Sequence, residues 1–236
     1  AAAGVLLVGL DVPMLVHVGL VAAGALLLLW VRSAAFLPVV SEPEGRRPAR
    51  SAWREPRTLL IGLMVLALAL TEGTANDWLA LALVDGYDVE RWVGVAGFAV
   101  FVTAMTAGRL TGPLLLDRFG RPLVLWGTMA AAGLGVLLLV FGGPVVAVVG
   151  IMLWGIGASL GFPVGMSAAA DDPVQAAARV SVVSSIGYAA FLAGPPLLGF
   201  VADEVGTLKA LLVVAVLLIP SALVVPSART APTKAR

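Results

Sequence analysis

The stretch Gly108-Arg109-Leu110-Thr111-Gly112-Pro113-Leu114-Leu115-Leu116-Asp117-Arg118-Phe119-Gly120-Arg121-Pro122 joins two long apolar segments, 92–115 and 122–141. Each segment has about the 20 residues that a helix needs to cross a bilayer. A connection this short between two such helices needs a residue that tolerates a positive backbone angle, and Gly120 supplies it. The stretch therefore predicts a tight hairpin of two membrane-spanning helices.

The charged residues of this loop have physical roles of their own. Arg118 and Arg121 are expected to extend towards anionic lipid headgroups. Asp117 stands at a helix end, where it can pair with those arginines or with the N-terminus of a neighbouring helix. The alternative is an ordinary basic loop on the cytoplasmic side of the membrane.

Outward from the loop, the whole chain is apolar. Of its 236 residues 60% are hydrophobic and 12% are charged, against about 25% charged in an average soluble domain. The pattern predicts an all-α membrane protein in which the lipid bilayer is the surrounding medium. Seven spans are predicted, near 12–31, 58–84, 92–115, 122–141, 144–168, 180–201 and 208–226.

Polar segments divide the chain. The segment Ala1–Leu10 is apolar but too short to span, so it is interpreted as the tail of a truncated helix. Because the chain also begins without methionine, we expect it to be part of a longer protein. The predicted parts are 1–40, the end of a preceding helical half; 41–57, a cytoplasmic linker; 58–226, a six-helix bundle; and 227–236, a cytoplasmic tail.

The basic residues predict the orientation. When the seven spans alternate, thirteen of the fifteen Lys and Arg residues fall on one side, and only Arg91 and Lys209 fall on the other. Basic residues favour the cytoplasmic side of short loops. The long linker, the loop at Asp117–Arg121 and the C-terminus are therefore expected in the cytoplasm.

The loop resembles the motif of the major facilitator superfamily that lies between the second and third helices of a six-helix repeat. The matching residues are Asp117, Arg118, Gly120 and Arg121, whereas the family's usual glycine is Pro113, with Gly112 one place early. Gly108 and Arg109 precede them in the same conformational motif. The position of the loop implies that the chain holds helices seven to twelve, preceded by helix six and the tail of helix five.

Two further segments, Thr71–Trp78 and Gly187–Gly199, resemble bacterial members of the fucose-permease and YbjJ-like group. The resemblance implies secondary active transport of a small solute by alternating access, coupled to protons, in the bacterial inner membrane. It also implies that the missing N-terminal half is a partner of this chain. The alternatives left open are sugar uptake, drug efflux, and an inactive membrane fragment that needs that half.

Glu72 is the leading candidate for coupling, because an ionisable group at membrane depth is expensive and is a functional candidate by default. Asn76 lies one turn further along the same face, and Asp77 follows it nearer the interface. A proton-exchanging carboxylate is one interpretation of Glu72. A structural hydrogen-bond network at the outer helix end is the other.

Four other positions complete the candidate set. Arg109, placed near the cytoplasmic end of its span, is interpreted either as an anchor for Asp117 or a carbonyl, or as a substrate contact. The family resemblance places the span of Trp154 at the cavity, although a core aromatic is the alternative. Tyr188 lies on a polar stripe of the sixth span, followed by the potential hinge Gly194-Pro195-Pro196, since prolines remove backbone donors.

Several functions are disfavoured. No cofactor is expected, and the chain is not expected to hydrolyse ATP, because it lacks a phosphate-binding loop of the Gly-rich, Lys-Ser/Thr type. With no cysteine and one histidine, no metal site is expected either, and a net charge of +1 gives no indication of a nucleic-acid partner. An intramembrane enzyme would need paired acids, a histidine cluster, or a Ser-His or Ser-Lys set at membrane depth. One histidine near a helix end and one deep carboxylate do not provide these, so the chain is not expected to be an enzyme.

Overall fold

The computed structural model describes residues 13–32 and 49–229, and within them it contains helices and turns but no strand. The predicted helix-five tail Ala1–Leu10, the first part of the linker and the residues after 229 lie outside the described part. The all-α fold predicted from the sequence is confirmed.

The chain divides into two units. In the first, helix α1 (Met14–Arg32) matches the first predicted span. The second contains α2 (Ala49–Ala52), α3 (Pro56–Tyr87), α4 (Arg91–Phe141), α5 (Gly143–Ala158), α6 (Gly161–Ala169), α7 (Ala176–Val205), α8 (Thr207–Ala210), α9 (Leu212–Val224) and a final 3-10 turn (Val225–Ala228).

Gly120 divides α4 into two membrane-length arms, α4a (91–119) and α4b (121–141). Its backbone angles, φ 74° and ψ 162°, are not helical and belong to a region that is essentially restricted to glycine. The predicted hairpin therefore turns at Gly120. The described part of the second unit contains five continuous apolar segments, and one of them is 51 residues long. Because Gly120 divides that long segment into two, the five segments provide six spans.

Sequence features explain the helix ends. Pro56 begins α3, where a proline has no hydrogen bond to lose, and Asp88 ends it in the left-handed conformation. The α3 helix is longer than predicted, and the end of the presumed linker is helical as well. There α2 buries Ala52 against Ala178 and Val182 of α7.

Small residues allow α4 and α5 to pack closely. A Cβ atom on Gly150 would lie 2.6 Å from the carbonyl oxygen of Gly135, and one on Gly155 would lie 2.5 Å from that of Phe101. Such contacts leave room only for hydrogen, so these glycines let the helix backbones approach. The fifth predicted span is also interrupted, because α5 ends at Ala158 and α6 begins at Gly161.

Candidate functional site

Glu72 of α3 and Arg109 of α4a form an ion pair. Nη2 of Arg109 lies 3.0 Å from each carboxylate oxygen of Glu72. The Glu72 side chain is 17% exposed and that of Arg109 is 41% exposed, so the cation is the more open partner. A charge at membrane depth is tolerated when it is paired in this way.

Glu72 lies at the middle of α3, whereas Arg109 lies in the second half of α4a, nearer the hairpin. Glu72 is sixteen residues from the start of α3 and fifteen from its end. Arg109 is eleven residues before Gly120, about three helical turns. Both helices extend beyond the predicted spans, which ended at residues 84 and 115, and the depth of Glu72 and Arg109 in the membrane stays a prediction.

A carbonyl group at the break between α5 and α6 holds Arg109 in place. Nε of Arg109 donates a hydrogen bond of 3.2 Å to the backbone oxygen of Ser159. The Ser159 hydroxyl in turn donates to the carbonyl of Ile156 at 2.6 Å. The sequence allowed a carbonyl as the partner of Arg109, and this contact shows one; Asp117, the other suggested partner, does not pair with it.

The pair opens into a cavity of about 380 Å³, lined by Glu72, Arg109, Phe162, Pro163, Tyr188 and Phe191. The Phe162 and Tyr188 rings lie 6.1 Å apart and are tilted by 45°. The cavity thus combines one ion pair with an aromatic wall, and α3, α4a, α6 and α7 all contribute to it. Charged and aromatic groups around a concave space are typical of a binding site.

A second cavity, of about 250 Å³, also includes Arg109 and Pro163 and extends to Arg121 and Ser167. A larger cavity of about 620 Å³ lies between α4b and α9, with Trp126, Phe141 and Ile219 in its wall. Among the described residues, no titratable group lines this larger cavity. It is therefore a weaker candidate for a polar solute than the cavity at the ion pair.

The remaining candidates lie elsewhere. Asn76 and Asp77 are exposed on α3 and do not line the cavity. Trp154 is completely buried, and its ring centre lies 5.6 Å from that of Phe101 in an edge-to-face arrangement. Among the six residues predicted in or near the site, the structure brings together Glu72, Arg109 and Tyr188, and it places Trp154 in the bundle core.

The loop motif is part of a cluster of charges. Arg121 pairs with Asp171 at 2.6 Å and donates to the Ser167 hydroxyl at 2.9 Å. The guanidinium carbon of Arg118 lies 5.4 Å from the ring centre of Phe119. Within the described part of the chain, the exposed side chain of Asp117 makes no hydrogen bond or ion pair.

Sequence reasoning missed the centre of this cluster. Asp171 also pairs with Arg57 at 2.9 Å, and Arg57 donates to the carbonyls of Ser227 and Arg229. Arg179 pairs with Glu55 at 2.7 Å. These partners are 50 to 172 residues apart along the chain. In the sequence, the one sign of these ion pairs was the presence of acidic residues in loops that are otherwise basic.

At the hinge candidate, helix α7 continues through Gly194, Pro195 and Pro196. Gly194 is buried, and a Cβ atom there would lie 2.9 Å from Cδ2 of Leu70. The glycine thus allows α7 to approach α3 near the cavity. Movement at this point remains a prediction.

Comparisons with known proteins agree with this architecture. An uncharacterized MFS-type transporter of Yersinia pestis is 34% identical over 161 residues, 67% of this chain and 42% of that protein. Membrane protein MosC of Rhizobium meliloti is 33% identical over 166 residues, 68% of this chain and 40% of that protein. An uncharacterized transporter of Sinorhizobium fredii is 36% identical over 146 residues, 61% of this chain and 39% of that protein.

The fold also matches a solved structure. The crystal structure of the major facilitator superfamily transporter FucP, in its outward conformation, superposes with a TM-score of 0.73. The match covers 90% of this chain and 54% of FucP, at 16% sequence identity, and therefore defines the fold alone. No family model matches the chain.

Six apolar spans, a glycine hairpin and a charged pair facing a cavity define a multi-pass, α-helical membrane protein. Together with the relatives and the shared fold, they show that the chain belongs to the major facilitator superfamily. It spans 39–42% of the length of the curated relatives it matches.

Proposed function

We propose that this chain forms one half of a secondary active transporter, which moves a small solute by alternating access and is coupled to protons through Glu72. The observation that carries the proposal is the Glu72–Arg109 pair, which joins the middle of α3 to α4a and is open to a cavity. Transporters of this type bind substrate and coupling ion near the membrane midplane, between two helical halves. The names of the relatives as transporters support the same activity.

The geometry of the ion pair supports a part for Glu72 in coupling. Both of its oxygens are bound by one nitrogen of Arg109. Protonation of Glu72 would remove the negative charge from the pair and free that nitrogen, whereas loss of the proton would restore the pair. A conformational change that alters access to the cavity would then be linked to proton uptake on one side and release on the other.

The partners and location follow from the same proposal. The solute would bind between this bundle and the other six-helix half of the protein, with the bilayer around both. The location would be the bacterial inner membrane with the C-terminus in the cytoplasm, and the uneven distribution of Lys and Arg supports this orientation. Solute transport needs none of the chemistry of an enzyme.

The test is Glu72→Gln in the complete transporter, reconstituted in proteoliposomes. Glutamine keeps the size of the side chain but cannot exchange a proton. Accumulation driven by a proton gradient is expected to fall to the level of empty liposomes, while exchange of solute across the membrane stays measurable. The matched control is Glu204→Gln, which removes an exposed carboxylate at the far end of α7. Accumulation at the wild-type level in Glu72→Gln would show that the pair is structural.

A further inference from the structure

We propose that the solute bound beside Arg109 is an organic carboxylate with an apolar or aromatic body, which competes with Glu72 for the guanidinium group. This inference rests on the transport function proposed above and assigns the substrate class of the same cavity.

Arg109 has one nitrogen that is free to donate hydrogen bonds. Its Nε is bound to the Ser159 carbonyl, and its Nη2 is bound to both oxygens of Glu72. Within the described residues, Nη1 has no hydrogen-bond partner, while the side chain is 41% exposed and lines the cavity. A guanidinium group fixed at two nitrogens and open at the third is prepared to receive a planar carboxylate.

The acceptors of the cavity are less available than its donors. Glu72 is only 17% exposed, and both of its oxygens are already bound to Arg109. The other polar side chain of the lining is Tyr188, whose hydroxyl can donate as well as accept. A polyol needs several free acceptors for its hydroxyl groups, and a cationic solute needs an open carboxylate, so both fit this cavity poorly.

The apolar and aromatic lining of the cavity determines which kind of solute body fits there. Phe162, Pro163, Tyr188 and Phe191 present rings and apolar atoms around the ion pair. Such a surface contributes binding free energy by removing apolar area from water. A carboxylate at Arg109 with its apolar body against these rings would use both features of the site.

Charge balance links this solute to the proton. Arg109 would face two carboxylates, one from Glu72 and one from the solute, and two like charges in one site repel each other. A proton taken up by Glu72 removes the excess negative charge and releases Nη2 to the solute. The bound state then contains one guanidinium cation, one solute anion and a neutral Glu72, so the anion and the proton move together.

The experiment uses the complete transporter in lipid nanodiscs and four probes observed by saturation-transfer NMR. Phenylacetate, 2-phenylethanol and phenethylamine share a phenyl ring and differ in the polar group, and glucose represents a polyol. Phenylacetate is expected to give the strongest signal. Stronger binding of the alcohol, the amine or glucose would overturn the proposal.

Three variants identify the site. Glu72→Gln is expected to tighten phenylacetate binding by about tenfold, because it removes the competing charged acceptor. The double variant Glu72→Gln with Arg109→Gln leaves no unpaired charge that would endanger folding, and it is expected to abolish binding. Arg91→Gln is the matched control, since Arg91 lies 18 residues earlier on the same helix, is exposed, and does not line the cavity.

Weaker phenylacetate binding in Glu72→Gln, or unchanged phenylacetate binding in the double variant, would also refute the proposed competition between Glu72 and the solute for Arg109. The failure of this inference can be separated from failure of the proposed function. If the complete transporter accumulates a neutral solute in a proton-dependent way and phenylacetate does not bind, only the substrate class is wrong.

Discussion

At the level of single residues, polar groups in this bundle bind partners that are distant along the chain. The indole nitrogen of Trp126 donates a 2.9 Å hydrogen bond to the carbonyl of Ala222. In a regular helix that carbonyl would receive the N–H of residue 226, but residue 226 is a proline and has none. An unpaired carbonyl is costly where water is scarce. Trp126 of α4b therefore donates the hydrogen bond to the Ala222 carbonyl that Pro226 cannot donate.

This pairing predicts a specific dependence between two substitutions. Trp126→Phe keeps an aromatic ring but removes the donor, and it is expected to lower the free energy of unfolding by roughly 1–3 kcal/mol. Pro226→Ala supplies a backbone N–H to the same carbonyl. In that background, Trp126→Phe should cost less.

Unfolding in mixed micelles, measured for the wild type, both single variants and the double variant, checks the prediction. An equal loss from Trp126→Phe in both backgrounds would mean that the ring packing of Trp126 matters and its hydrogen bond does not.

At the level of elements, two breaks in the helices shape the chain, one between two spans and one within a span. Gly120 turns α4 sharply, and Ser159–Leu160 separates α5 from α6. The first interruption positions Arg121 beside Asp171, and the second provides the carbonyl that binds Arg109. Both breaks thus position charged residues.

The turn at Gly120 can be tested by adding one methyl group. A Cβ atom at Gly120 would meet only Cδ of Pro122, 4.0 Å away, so space is available. The strain comes from the backbone angles instead, and Gly120→Ala is expected to cost about 1–3 kcal/mol of stability. Gly127→Ala is the matched control in α4b, where nothing lies within 4 Å of the added atom.

The control is expected to leave stability unchanged or to raise it by up to about 1 kcal/mol, because alanine favours a helix. Thermal unfolding of both variants provides the measurement. A Gly120→Ala protein as stable as the Gly127→Ala protein would show that the hairpin adopts another conformation without penalty.

The two interruptions also show what could be predicted from the sequence. The break at Gly120 was predictable because charged residues and a glycine separate two apolar stretches. The break at Ser159–Leu160 was not, because its surroundings are as apolar as the rest of the span. Membrane spans follow from composition, so the helices were predicted well. The pair of Glu72 with Arg109 depends on how α3 and α4a pack side by side, which composition does not encode.

At the level of the whole molecule, charges are concentrated at one end of the second unit. Arg57, Arg121 and Asp171 connect the start of α3, the hairpin and the end of α6, and Arg57 also binds carbonyls at the end of the last helix. Asp171 is 10% exposed and accepts from both arginines. In the proposed orientation, this end faces the cytoplasm.

The orientation predicts which positions a membrane-impermeant thiol reagent reaches. The chain contains no cysteine, so each introduced cysteine reports on one position. Cysteines at Asp172 and Thr233 are expected to label only from the cytoplasm, and one at Asp85 only from outside. Labelling from both sides in sealed, inverted and right-side-out vesicles provides the measurement. Reaction of Asp172→Cys and Asp85→Cys from the same side would contradict the topology.

Asp117 and Asp171 offer a contrast between the chain alone and a complete transporter. Asp171 has two arginine partners inside the chain, whereas the exposed Asp117 has none within the described residues. The family resemblance implies that the loop aspartate meets the N-terminus of a helix in the opposite half, where a carboxylate is favoured by about 0.3–1 kcal/mol. That contact would stabilise the outward-open state.

For the chain alone, Asp171→Asn is therefore expected to reduce stability by about 1–3 kcal/mol, since it removes the negative charge that two guanidinium groups share and replaces one acceptor oxygen by an NH2 group. Asp117→Asn should change stability by less than about 0.5 kcal/mol, as an exposed substitution does.

In a complete transporter assembled from both halves, Asp117→Asn should shift the population towards inward-facing states, which cysteine accessibility of the cytoplasmic cavity would detect. The chain alone should catalyse no transport, because one wall of the solute path belongs to the other half. If Asp117→Asn destabilises the isolated chain as much as Asp171→Asn does, then Asp117 has a partner within this chain and the proposed contact between the halves is wrong.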